Sequence, residues 1–230
     1  MNTNMLVAAS MVALLAVGIG IGWGFQSTVS SPSKVTFSVT QTVTTTQAPN
    51  SSESQQPYVL TLVITTNNLY NSTAGDQPAY YVLTDHGLKS SASLALPANR
   101  LIELVIVNYD DGNATLTNPQ YSSVQGTVNG TMTFANNDDV NSSQGATGEV
   151  VSGGQTVSTV PPDDISHTFT IPSLGINIPV PVSSTVTAFI KIAKAGVYFW
   201  FCETTCGSGV NGLEGAMATR GWMTGSAVVS

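Results

Sequence analysis

The two cysteines of the chain, Cys202 and Cys206, stand three residues apart in "FCETTCGSG" near its C-terminal end. Such a pair either oxidises to a short disulfide or, deprotonated, offers two soft ligands to a metal ion. A disulfide closing so small a loop removes little chain entropy, on the order of 2 kcal/mol or less, which counts mildly against a purely structural role. Upstream, His167 lies in "PPDDISHTFTIP". There Ile165, His167, Phe169 and Ile171 alternate onto one side of an extended segment. An imidazole at the rim of an apolar face is either a structural group bonded to a carbonyl or a nitrogen ligand. Met223, in "RGWMTGSAVVS", adds a thioether directly before the last apolar run. Thiolate, imidazole and a weak thioether are together the donor set of blue-copper sites. The other histidine, His86 in "YVLTDHGLKSS", falls in a strand-end turn and is expected at the surface.

These donors must be positioned by short strands. From Tyr58 onward the chain reads as runs rich in Val, Ile, Thr and aromatic residues, punctuated by Gly, Pro, Asn and Asp. The runs are "YVLTLVITTN", "AYYVLT", "RLIELVIVNYD", "GTMTFAN", "SHTFTIP", "TVTAFIKIA", "GVYFWFC" and "TGSAVVS". No helical periodicity of comparable length competes with them, so an all-β sandwich or barrel is expected over residues 58–230. A polar, Gly- and Asn-rich stretch at about 111–162 is long for a connection and reads as an insertion in the same domain. In "GVYFWFC" the alternation ends on Cys202, so a strand end, a loop and a terminal strand bring the sulfur donors to one end of the sandwich.

The N-terminal part has a different character. "MLVAASMVALLAVGIGIGWGF", Met5 to Phe25, is uncharged and about as long as the 20 residues that cross a bilayer, so residues 1–25 are expected to form a membrane anchor. No Lys or Arg precedes Lys34, which argues against a cleaved signal peptide. Residues 26–57 are polar and low in complexity and read as a stalk. A composition with 8% charged residues, and sequons at Asn50, Asn71, Asn113, Asn129 and Asn141, suits a folded part outside the membrane, on an extracytoplasmic face. The formal net charge of −7 excludes nucleic acid as the expected partner.

The segments "NYDD", "HTFTIP", "AGVYFWFCETTCGSG" and "GWMTGSAVV" together resemble the cupredoxins, and among them the copper-binding domain of cytochrome c oxidase subunit II. The resemblance runs from about Leu60 to Ser230 and is densest after Asp163. It implies a Greek-key β-sandwich after a single N-terminal transmembrane helix, with copper as the cofactor. The implied ligands are His167, Cys202, the Thr204 carbonyl, Cys206 and Met223, and the implied partner is a respiratory-chain protein. One family ligand is missing: a second histidine belongs between the last cysteine and the methionine. Aligned on "GWM", its place is taken by Arg220, which stays protonated and has no lone pair to give. The loop "SGVNGLEGAMAT" is also longer than in the family and offers Met217 or Glu214 instead.

Three functions remain open on these residues. One is a copper carrier of single electrons to or within a respiratory oxidase. Another is capture or delivery of Cu(I), which a soft set lacking the second imidazole would favour. The last is a structural surface module with a Cys202–Cys206 disulfide and no metal. An independent hydrolytic site is not expected, because Ser166 and His167 are adjacent on a strand and point to opposite faces, and no nucleophile-elbow, zinc-protease or phosphate-loop motif is present.

Overall fold

β-branched and aromatic runs pair as strands because their side chains pack on a pleated surface that buries one face or both. The computed structural model describes residues 56–71, 77–137 and 154–230. The expected anchor at 1–25 and nearly all of the stalk at 26–57 lie outside them. Among the described residues no helix is long and apolar enough to cross a membrane.

Twelve strands are described: β1 (Tyr58–Thr65), β2 (Ala79–Thr84), β3 (Gly87–Ser90), β4 (Ser93–Leu96), β5 (Leu101–Asn108), β6 (Met132–Asn136), β7 (Gln155–Val157), β8 (Ile165–Ile171), β9 (Ile176–Pro181), β10 (Ser184–Lys191), β11 (Gly196–Phe201) and β12 (Thr224–Val229). One sheet has the order β3-β2-β1-β5-β10-β6-β7 and the other β4-β12-β11-β8-β9. Most neighbours are antiparallel, but β1 runs parallel to β5 and β4 parallel to β12. Parallel neighbours cannot be joined by a tight hairpin, so the chain crosses between sheets to form them. The all-β expectation therefore holds for the described residues.

The core lies between the sheets. Leu60, Leu62 and Ile64 of β1 and Ile102, Leu104 and Ile106 of β5 face Ile165, Phe169 and Ile171 of β8 and Trp200 of β11. A second apolar cluster, Val63, Ala79, Tyr81, Val105 and Val107, covers the opposite face of the first sheet. That is why "LIELVIVN" reads as a nearly unbroken apolar run: β5 is central and buried on both sides. Tyr70 stacks on Tyr81 with ring centroids 4.6 Å apart and lies 6.5 Å from Trp222 in a parallel orientation.

β3, β4, β7 and β9 were not among the expected strands. β9, "INIPVP", carries Pro179 and Pro181, which argue against a central strand. It is an edge strand, where a missing N–H costs no ladder bond on the open side. β3, β4 and β7 have only three or four residues each, too few to show a period.

Two close approaches tie the sheets to the end of the molecule that carries the cysteines. The wholly buried Tyr80 donates its hydroxyl to the Thr168 carbonyl at 3.1 Å, linking β2 to β8. Gly225 of β12 lies against the Trp200 ring: a Cβ there would stand 2.6 Å from Trp200 Nε1 and 2.9 Å from the Ser91 carbonyl oxygen. Backbone cannot retreat as a flexible side chain can. Gly225→Ala is therefore expected to destabilise the domain by about 1–3 kcal/mol, read as a lower urea midpoint at unchanged slope.

Candidate metal centre

β8 brings His167 to the site through an irregularity. Ile165 pairs with Pro181 and His167 with Val180, so Ser166 is an extra residue in β8, a β-bulge. Bulges twist a strand locally and re-aim its side chains. Every residue of β8 is buried, so the expected alternation of core and solvent faces does not hold there. Thr168 and Thr170, opposite the core face, are covered as well. They bond to each other at 3.0 Å, and Thr170 bonds to Asn177 at 2.7 Å.

The imidazole is held on both sides. Its Nε2 lies 2.9 Å from Asp110 Oδ2, and its Nδ1 lies 3.9 Å from Cys202 Sγ. Asp110 follows β5 in "NYDD", and Asn108 places it there. The buried Asn108 side chain donates to the Pro181 carbonyl at 2.9 Å and accepts the Asp110 N–H at 3.0 Å. The other Asp110 oxygen takes the Gly112 N–H at 2.8 Å. With Nε2 occupied by the carboxylate, Nδ1 is the nitrogen turned to the sulfurs.

Cys202 ends β11. Its N–H donates to the Met223 carbonyl at 2.9 Å, and its sulfur accepts the Thr168 N–H at 3.3 Å and lies 3.1 Å from Thr204 Oγ1. Cys206 Sγ is 3.7 Å from Cys202 Sγ, and both cysteines are free. The ligand atoms of His167, Cys202 and Cys206 all lie within 4.8 Å of one another. Cys206 Sγ also stands 3.3 Å from Met217 Sδ.

Electrostatically the three groups act together. Burial works against charge on His167, but the Asp110 hydrogen bond and then the Cys202 sulfur outweigh it and push the imidazole up to about 9. Burial also disfavours a Cys202 thiolate, yet the Cys206 S–H, His167 and Thr204 hold its thiol well below the ordinary range. Cys206 is pushed up, first by its hydrogen bond to Cys202 and then by burial. The neighbouring imidazole and thiol thus favour the charged form of Cys202, while Cys206 is held toward its protonated form. Binding a cation there would displace protons from His167 and Cys206.

The cysteine loop is clamped from outside. Thr117 N–H donates to the Glu203 carbonyl at 2.9 Å and Thr205 N–H to the Thr115 carbonyl at 2.8 Å, with an isolated bridge between Leu116 and Thr204. The Asn177 side chain donates to the Tyr121 and Ser123 carbonyls at 3.0 and 2.7 Å. The first part of the polar stretch at 111–162 is therefore the backbone support of the loop and the cover of β8 and β9. Thr204 is wholly buried beneath it.

The remaining candidates separate clearly. Met223 is wholly buried in the core, where its carbonyl anchors Cys202 and its N–H donates to the Ala216 carbonyl at 3.3 Å. His86 is exposed in the β2–β3 turn, 3.5 Å from Asp85, and is not among the clustered groups. Arg220 is exposed and donates to Ser226 Oγ at 2.8 Å. Glu214 is exposed, its side chain lying against Gly209. Of the aromatic residues leading into Cys202, Trp200 is wholly buried while Phe199 is 66% exposed and shields nothing. Sequence reasoning missed Asp110 and Tyr80. Tyr80 packs edge-on to His167 with centroids 6.4 Å apart and to Trp200 at 5.3 Å. The acidic pair in "NYDD" was the available signal for Asp110. Nothing local distinguished Tyr80 from Tyr81.

A cation bonded to two thiolates at about 2.3 Å in tetrahedral array holds the sulfurs about 3.8 Å apart. The 3.7 Å separation of Cys202 and Cys206 fits that spacing. Two thiols, an oriented imidazole and a neighbouring thioether are a soft donor set, suited to copper more than to a hard cation.

No family model and no curated protein matches the sequence. Among solved structures the chain is similar to the periplasmic domain of cytochrome oxidase subunit II of Bradyrhizobium japonicum, at 11% identity over 75% of this chain and 83% of that one, with a TM-score of 0.32. It is similar to auracyanin B at 14% identity, covering 76% and 91%, TM-score 0.32. A chain of a heme-copper terminal oxidase dimer matches at 13% identity, covering 98% and 91%, TM-score 0.33.

Because Asp110 orients the imidazole, Asp110→Ala is expected to weaken binding of silver(I), a soft probe cation, by about 10- to 100-fold. Chelator competition on the full-length chain measures it. Unchanged affinity would mean that His167 needs no carboxylate to be placed.

Proposed function

We propose that the chain is a membrane-anchored, extracytoplasmic copper protein that carries single electrons to or within a respiratory oxidase. The observation that carries this reading is the cluster of His167 Nδ1 and the Cys202 and Cys206 sulfurs within 4.8 Å of one another, with His167 turned toward them by Asp110. The ligands proposed are His167, Cys202 and Cys206, joined by the Thr204 carbonyl and by a methionine thioether, for which the family pattern offers Met223. The domain boundaries proposed are an anchor at 1–25, a stalk at 26–57 and the folded domain at 58–230 with an insertion at about 111–162. The apolar segment Met5–Phe25 supports the anchor.

Copper, when bound, supplies a one-electron couple; every other part of the task falls to the chain. Asp110 holds His167 in one orientation, so the imidazole need not reorganise when the charge at the site changes. The Thr168 N–H lies against the Cys202 sulfur and stabilises its negative charge. Tyr80, Phe169 and Trp200, all wholly buried, exclude water from the core side. Rings at Tyr80–Trp200 and Phe169–Trp200 centroid distances of 5.3 and 5.6 Å leave no room for it.

A second reading, capture or delivery of Cu(I), is favoured by one observation. The position of the family's second histidine holds Arg220, which points to Ser226 instead. Without that nitrogen the set is richer in sulfur and favours the monovalent ion.

The test uses the full-length chain, reduced, loaded with copper and desalted. A thiolate-to-copper absorption band and a paramagnetic Cu(II) signal are expected, with Cys202→Ser abolishing both and His86→Ala changing neither. Copper retained without any band would favour the delivery reading. A band that persists in the Cys202 variant would overturn the ligand assignment.

A further inference from the structure

The loop after Cys206 places a third sulfur at the site. It leaves the cysteine at Gly207, whose N–H donates to the Gly212 carbonyl at 2.8 Å, and returns through Ser208, which pairs with Glu214 in both directions at 3.0 Å. The short 3-10 turn Gly215–Ala218 follows. It is pinned by the Gln77 side chain, whose Oε1 accepts the Ala216 N–H at 2.9 Å, and by Thr219 Oγ1, which donates to the Gly215 carbonyl at 2.7 Å. Ala216 is wholly buried, and Met217, the next residue, is half-buried against the core with Cys206. Its Sδ lies 3.3 Å from Cys206 Sγ. The packing has no slack: a Cβ on Gly207 would stand 2.8 Å from Met217 Cγ.

We propose that Met217, not Met223, supplies the thioether ligand, completing a set of three sulfurs and one nitrogen that favours the monovalent state of bound copper. The inference rests on the copper reading above. His167 flanks the two thiols on the Cys202 side, 3.9 Å from that sulfur, and Met217 flanks them on the Cys206 side. The four donors therefore run in sequence, and Met217 adds a fourth to a set that lacks the second imidazole. Glu214, the other candidate in the loop, is turned out against Gly209. Among the described residues no sulfur contact of that kind joins Met223 to either cysteine; it meets Cys202 and Ala216 through its backbone. A thioether in place of an imidazole softens the set and shifts the balance of a bound copper couple toward Cu(I).

The experiment compares the full-length wild type with Met217→Leu, Met223→Leu and Cys202→Ser, each loaded with Cu(I) under reducing conditions. Copper-edge X-ray absorption counts the sulfur ligands, and competition with a chromophoric Cu(I) chelator gives the affinity. Leu preserves the volume of Met at both positions, so neither variant opens a large cavity. The expectation is three sulfur ligands in the wild type and in Met223→Leu. Met217→Leu should show two, with affinity weakened about tenfold or more, the scale on which even residues outside the ligand set act. An unchanged count and affinity in Met217→Leu, or the loss appearing in Met223→Leu instead, would overturn the inference and leave the copper reading standing. Undiminished Cu(I) binding in Cys202→Ser would overturn the copper reading itself.

Discussion

The hydrogen bond between Asp110 and His167 is the constraint on which the site depends. It joins the end of β5 in one sheet to β8 in the other, at 2.9 Å, with the imidazole 99% removed from solvent. A buried imidazole without a partner would have no fixed tautomer and a strong reason to stay uncharged. The carboxylate settles both matters, leaving Nδ1 facing the sulfurs. Asn108 then holds the carboxylate by bonding across to the Pro181 carbonyl, so the geometry is set by the sandwich and not by a flexible loop. Removing Asp110 leaves the buried imidazole without its carboxylate partner.

The cysteine loop is rigid for a different reason. Five residues from Cys202 to Cys206 bury little apolar surface and could not hold their shape by packing alone. Their backbone is fixed instead by exchange with the polar segment around residues 115–117 and by the Met223 carbonyl. A stretch that reads as an insertion thus supplies a backbone clamp. Its low apolar content is consistent with that task, because it covers the buried hydroxyls and amide of Thr168, Thr170 and Asn177, which require hydrogen-bonding partners.

Particular residues show how much of this was legible. The strands around Leu104, Phe169 and Trp200 declare themselves by β-branched and aromatic runs, and Cys202, Cys206 and His167 declare themselves by type and spacing. β9 is concealed by Pro179 and Pro181, whose meaning depends on whether the strand lies at an edge. The burial of both faces of β8 is concealed because its second cover comes from residues some fifty positions earlier. Met217 and Met223 are equivalent as sequence, two methionines after a cysteine pair.

By itself the sequence determined the all-β class, the approximate strands and the identity of the soft donors, since these follow from local periodicity and side-chain chemistry. Tertiary structure alone decided which donors converge. It set Asp110 behind His167, left His86 and Arg220 at the surface and brought Met217 to Cys206. Convergence depends on sheet pairing, a one-residue bulge at Ser166 and the hydrogen bonds of a loop, and contacts between residues distant in the chain leave no periodic trace in it.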